Sequence, residues 1–176
     1  ISVNYLKQQT IDFFGDGNRW GVEINYLQEQ KQLGTAGALS LLPQMPNDPF
    51  LVINSDVLTR INLINLLRFH QEQNSDATIA VWNHEITIPY GVVHSEDSKV
   101  LSIEEKPLLS QFVNAGIYVI EPHILNFLTP NAVCEMPDLL ESAIQKDLAV
   151  NAFPIHEYWI DVGHHEKLER ANGEWQ

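Results

Sequence analysis

PFLVINSDVLT, residues 49–59, joins an unbroken apolar run to a carboxylate. Phe50 to Ile53 read as a strand buried on both faces, the pattern of a parallel sheet covered by helices. Asp56 follows just past the end of that strand. A buried carboxylate is costly unless a metal, a cation or several hydrogen bonds compensate it. The C-terminal tip of a strand in an open α/β sheet offers a way out, because ligands bind there. A turn-capping aspartate is the competing reading, and the stretch alone leaves both open.

Outward from this strand the texture alternates. On its N-terminal side, SVNYLKQQTIDFF (2–14) reads as a helix capped by Ser2, VEINYL (22–27) as a strand, and TAGALSLL (35–42) as a short helix. On its C-terminal side, INLINLLRFHQEQ (61–73) reads as a helix with Ile61, Ile64, Leu67 and Phe69 apolar. ATIAVWNH (77–84) returns as a strand. Strand, helix, strand, helix, strand is the signature of right-handed crossovers and a parallel, helix-covered sheet. Beyond it, YGVVHSEDSKVLSIEEKP (90–107) reads as a hairpin around an SEDSK turn, and FVNAGIYVI (112–120) as another strand. EPHILNFL (121–128) and PDLLESAIQKD (137–147) read as helices, VNAFPI (150–155) and EYWIDVG (157–163) as short strands, and HHEKLERANGE (164–174) as a last helix. No repeat, linker or low-complexity tract interrupts residues 1–176, which read as a single α/β domain.

Composition narrows the function. With 10 basic residues against 23 acidic ones and a net charge of −13, a nucleic-acid surface is excluded, since phosphate backbones need clustered Lys and Arg. An acidic chain that handles an anionic substrate needs a divalent metal or backbone amides. No run approaches the roughly 20 apolar residues of a membrane span. The one cysteine, Cys134, fits a reducing cytoplasm. The seven histidines show no ligand spacing with each other or with Cys134, so zinc is not expected.

Four stretches could carry chemistry. In QLGTAGA (32–38), Gly34 and Gly37 flank Thr35 and Ala36, and a helix start behind them offers amides to a flat or charged ligand. IEEKP (103–107) places Glu105 and Lys106 at a strand end, where the lysine could grip a phosphate and the glutamate a sugar hydroxyl. VNAGIYV (113–119) embeds Asn114 and Gly116 in an apolar strand, which suggests a bulge or a close ligand. YWIDVGH (158–164) repeats the pattern of strand, carboxylate and glycine, and Asp56 with Asp161 could hold one hard divalent cation. A bland reading competes at each: a plain turn, a solvated ion pair, two unrelated aspartates. His164 and His165 could donate to a phosphate or simply be exposed.

Taken in order, LGTAGAL, LVINSD, YGVV, EEKP, NAGIYV and WIDVG resemble the sugar-1-phosphate nucleotidyltransferases, the group of glucose-1-phosphate thymidylyltransferases and mannose-1-phosphate guanylyltransferases. The resemblance implies a Rossmann-like, mixed but mainly parallel sheet flanked by helices. It implies transfer of a nucleoside monophosphate from a nucleoside triphosphate to a sugar 1-phosphate, with Mg2+ as cofactor. In the implied site, Gly34, Thr35, Ala36 and Gly37 contact the base, and Asp56 and Asp161 bind the metal. Tyr90 and Gly91 line the sugar pocket, Glu105 and Asn114 bind the sugar, and Lys106 binds its phosphate. Asp56, Lys106 and Asp161 are the catalytic set.

The family's opening strand and its G-G-x-G-T-R-L loop have no counterpart here. The expectation is therefore a domain incomplete at its N-terminus, weak or inactive alone, with an open sheet edge that a partner or a second copy could cover. Compact NSD and NAGIYV blocks lean towards the guanylyl branch. A non-catalytic sugar-nucleotide sensor is the alternative from another class.

Overall fold

The structure, a computed structural model, describes residues 1–163 and 165–174. Ser2–Val3 (β1) pairs in parallel with Leu27–Gln28 (β2), and Lys7–Phe14 forms helix α1 between them. The helix expected from Ser2 therefore starts later. Val3 is buried against the fold as a strand residue, and Leu6, left-handed at φ 54°, turns the chain into the helix without a side-chain cap. Of the expected strand over 22–27, only Leu27 lies in β2. Gly34–Gly37 is a single helical turn, α2, continued by a 3-10 turn over Ala38–Leu41. Phe50–Ile53 (β3) and Val57–Thr59 (β4) bracket Asp56.

Helix α3, Leu63–Glu72, begins where the Asn62 side chain accepts the amides of Ile64 and Asn65. That start sets the buried stripe on Leu66 and His70, three and seven residues beyond Leu63, and leaves Ile64 68% exposed. Of the expected apolar residues, Ile61 and Leu67 pack on the Leu66 core and Phe69 packs against the Phe153 ring, while Ile64 turns outward. Ala77–Thr87 (β5), Gly91–Glu96 (β6), Lys99–Glu105 (β7) and Leu108–Ile120 (β8) follow, and β6 and β7 form the expected antiparallel hairpin. A 3-10 turn over Pro122–Phe127 replaces the expected helix at 121–128. Met136–Ile144 (α4), Val150–Ile155 (β9), Trp159–Asp161 (β10) and His165–Glu174 (α5) complete the chain.

The main sheet has the order β3-β8-β5-β9. Strand β8 runs antiparallel to both β3 and β5, while β9 is parallel to β5. Three strands thus point one way and β8 the other, so the sheet is mixed, with helices on its faces. The crossover from β3 to β5 spans a gap that β8 fills. Strand β3 lies at an edge: Phe50 and Val52 pack on the α4 core and Leu51 on the α3 core, as expected for both faces, but all three are only half-buried and Ile53 is exposed. The other edge carries Pro154 in β9, a position that tolerates a missing donor.

Full burial on both faces belongs to β8. Residues Ala115 and Ile117 to Ile120 are all at most 2% exposed. Tyr118 and Ile120 pack with Met136, Leu139, Leu140 and Ala143 of α4. Ala115, Ile117 and Val119 point the opposite way, onto Leu66 of α3 and Ile155.

Leu66→Ala should therefore cost about 2–5 kcal/mol of stability, the range for a fully buried leucine. Ile64→Ala should cost well under about 1 kcal/mol, as expected for an exposed site. Urea unfolding of the two variants checks the assignment, and equal costs would contradict it.

Candidate active site

Asp56 lies in the turn between β3 and β4. Its own carbonyl accepts Val162 N–H at 2.7 Å, which clips the β3–β4 turn to the segment just after β10. Strand β10 pairs antiparallel with β4, and Asp161 stands opposite Val57. The two carboxylates meet at Gly163. A Cβ placed on that glycine would lie 3.0 Å from Asp161 Oδ1 and 3.1 Å from Asp56 Oδ2. Space of this kind, open only because residue 163 has no side chain, is flanked by two hard oxygen donors from separate elements.

That donor set suits a small hard cation, which keeps several waters and needs only one or two protein carboxylates. Among the described residues no group of three or more His, Cys, Asp or Glu could hold a metal. Gly163 N–H donates to Asp161 Oδ1 at 2.8 Å, and Lys167 Nζ stands 3.6 Å from Asp161 Oδ2. His164 lies outside the described residues, as does the side chain of His165.

Both acidic segments are fastened to β8. Asn54 N–H donates to Gly116 O at 2.8 Å, and the Trp159 indole donates to Ala115 O at 2.8 Å. Gly116, at φ +71°, is obligatory here: a Cβ would approach Asn54 Nδ2 to 2.9 Å and Val57 Cγ2 to 3.1 Å. Asn114 therefore sits one residue from the strut that carries Asp161. Its Oδ1 accepts Gly116 N–H at 2.9 Å, and its Nδ2 donates to Tyr118 Oη at 2.7 Å.

Tyr90, Gly91, Glu105 and Lys106 gather at the base of the β6–β7 hairpin. Gly91 pairs with Glu105, and a Cβ at residue 91 would meet Glu105 Oε2 at 2.9 Å. Lys106 N–H donates to Tyr90 O at 3.2 Å, and Lys106 is left-handed at φ 50°. Tyr90 is 74% exposed, and among the described residues Lys106 forms no ion pair. The contacts thus unite Asp56, Asp161 and the Asn114 strand in one group and these four residues in another.

The Gly34–Gly37 loop departs from the expectation of free amides. Cys134 O accepts Ala36 N–H and Gly37 N–H, both at 3.0 Å, and Glu135 Oε2 accepts Thr35 N–H at 2.9 Å and Thr35 Oγ1–H at 2.8 Å. Thr35 Oγ1 in turn accepts Met136 N–H at 2.7 Å. A Cβ at Gly34 would strike Cys134 O at 2.6 Å, and one at Gly37 would strike Ala132 O at 2.6 Å. These glycines admit the segment before α4; their amides are not waiting for a ligand. The two bonds from Thr35 hold the Glu135 carboxyl below the ordinary glutamate value of 4.5. Glu135, Trp159 and Tyr118 escaped the sequence reading, because their partners lie on other elements or four residues along β8.

The chain matches the Nucleotidyl transferase family over residues 1–176. It belongs to that family. A mannose-1-phosphate guanylyltransferase catalytic subunit beta from Dictyostelium discoideum is 32% identical, over 93% of this chain and 47% of that protein. A UTP–glucose-1-phosphate uridylyltransferase from Synechocystis is 30% identical, again over 93% of this chain and 47% of the relative. The nucleotidyl transferase chain thus spans about half the length of the curated relatives it matches. The crystal structure of HddC from Yersinia pseudotuberculosis shares the fold, with a TM-score of 0.72 at 23% identity, covering 99% of this chain and 77% of that one. Among the described residues no helix is long and apolar enough to cross a membrane.

The Glu135–Thr35 contact carries a pH signature. A carboxyl whose folded-state value is lowered stabilises the fold above the ordinary glutamate range, and that contribution disappears as pH falls through the folded value. Because Glu135 is exposed, the effect should stay below about 1 kcal/mol. Glu135→Gln should thus be less stable than the parent at pH 7, and the gap should close below pH 4.5. Thermal unfolding across that range reads it directly, and a gap that widens on acidification would contradict the assignment.

Proposed function

We propose that this chain is the metal- and sugar-binding portion of a sugar-1-phosphate nucleotidyltransferase. The observation that carries the reading is the convergence of Asp56 and Asp161 on the space beside Gly163. In the proposed reaction a sugar-phosphate oxygen attacks the α-phosphorus of a nucleoside triphosphate. The new P–O bond forms as the bond to the bridging oxygen breaks, and pyrophosphate leaves. No protein nucleophile is needed; positioning and charge neutralisation carry the step.

Asp56 and Asp161 would hold magnesium, which when bound supplies charge neutralisation for the α-phosphate. Lys106, at the hairpin base, would take the sugar phosphate as a point charge. Tyr90 and Gly91 would line the sugar pocket there, with Glu105 accepting sugar hydroxyls. Asn114 would offer its amide to the same sugar from β8. The Gly34–Gly37 loop would face the base, through groups other than the amides that Cys134 and Glu135 engage. Relatives named for mannose and guanylyl transfer favour a GDP-mannose-type product, although a uridylyltransferase for glucose stands almost as near.

The decisive experiment pairs cation titration with pyrophosphate release, supplying each nucleoside triphosphate with mannose 1-phosphate or glucose 1-phosphate. Magnesium or manganese should bind, and Asp56→Asn and Asp161→Asn should each weaken that binding at least about tenfold, because each removes one of the two carboxylates that would hold the cation. Gly163→Ala should do the same while leaving both carboxylates in place, because its methyl fills the shared space. Cation affinity unchanged in all three variants would refute the site.

A further inference from the structure

Tyr118 is 2% exposed, yet its hydroxyl belongs to the edge of the site. Its ring packs among Met136, Leu139 and Leu140 on the α4 side of the sheet. A tyrosine enclosed in this way needs a partner for its hydroxyl. It finds one in Asn114, four residues earlier on the same strand: Nδ2 donates to Oη at 2.7 Å, and Oη donates to Oδ1 at 3.0 Å. Gly116 N–H, donating to Oδ1 at 2.9 Å, settles which end of the amide is oxygen. Three bonds thus fix the rotation of a side chain that is itself exposed. By hydrogen count, one Nδ2–H remains for a ligand hydroxyl.

We infer that Tyr118 is a positioning residue for sugar recognition, acting through Asn114 by locking its amide so that the remaining N–H is presented to a sugar hydroxyl. The inference rests on the proposed function, in which Asn114 binds the sugar. It extends that function inward: recognition is set by a phenol buried in the core. Gly116 is part of the same device, since its left-handed backbone is what brings its N–H back onto Asn114 Oδ1. Burial pushes the Tyr118 phenol up from its ordinary value, with the Asn114 bond opposing, so the hydroxyl stays protonated and able to donate at neutral pH.

The test uses Tyr118→Phe, which keeps the ring and removes only the hydroxyl, beside Asn114→Ala. Calorimetry with mannose 1-phosphate and glucose 1-phosphate, in magnesium, gives one readout. The Asn114 side-chain NH2 resonances in nitrogen–proton spectra give another that needs no ligand. Tyr118→Phe should shift and broaden those resonances and weaken sugar 1-phosphate roughly three- to tenfold, the scale of one hydrogen bond. Cation affinity should not change, and adding Asn114→Ala should bring no loss beyond that of Asn114→Ala alone. Sugar affinity unchanged in Tyr118→Phe but reduced in Asn114→Ala would overturn the inference and leave the proposed function standing. Sugar 1-phosphate binding unaffected by both variants would overturn the inference together with the sugar role of Asn114. Cation binding at Asp56 and Asp161 would still report separately on the metal site.

Discussion

Two hydrogen bonds onto one strand organise the acidic site. Asn54 reaches Gly116 O from one side of β8, and the Trp159 indole reaches Ala115 O from the other chain segment. Each donor precedes an aspartate by two residues, so fixing the donor fixes where the carboxylate can go. Strand β8 can serve as the anchor because its second half is sealed on both faces, by α4 on one side and α3 on the other. A strand so enclosed cannot shift without opening two cores at once. Precision at Asp56 and Asp161 is therefore inherited from packing elsewhere, which is cheaper than building it from the turns that carry them.

The electrostatics run against this arrangement. The chain already carries −13, and two carboxylates facing one small space repel each other. Part of the cost is met by Gly163 N–H, which donates to Asp161, and part by Lys167 nearby. Among the described residues Asp56 has no comparable cation. That imbalance supports the proposed cation, whose charge would balance the two carboxylates.

Much of this was legible in the sequence, and the failures share a cause. Local patterns read well where the element decides its own geometry. The SEDSK hairpin, the helix behind Pro137 and the β9 strand all stand where periodicity puts them. Reading failed where neighbours decide. Four apolar residues from Phe50 to Ile53 look the same whether a strand is central or at the edge, and only the sheet order, in which β3 pairs with β8 alone, makes them an edge. Likewise Ile64 and Leu66 are equally apolar, and the Asn62 cap determines which one turns inward.

The glycines make the same point about the site. Gly34, Gly37, Gly116 and Gly163 stood out among the motif residues, each with a close ligand weighed against a plain turn or a bulge. In the fold they divide. Gly34 and Gly37 make room for the carbonyls of Cys134 and Ala132, which is protein packing across 95 or more residues of chain. Gly116 supplies a left-handed turn of backbone against Asn54. Only Gly163 borders space flanked by two carboxylates. A missing side chain is thus informative about function only once it is known what would have collided with it. By that criterion the WIDVG block, not the GTAG loop, is the stretch of this sequence that speaks most directly of a ligand.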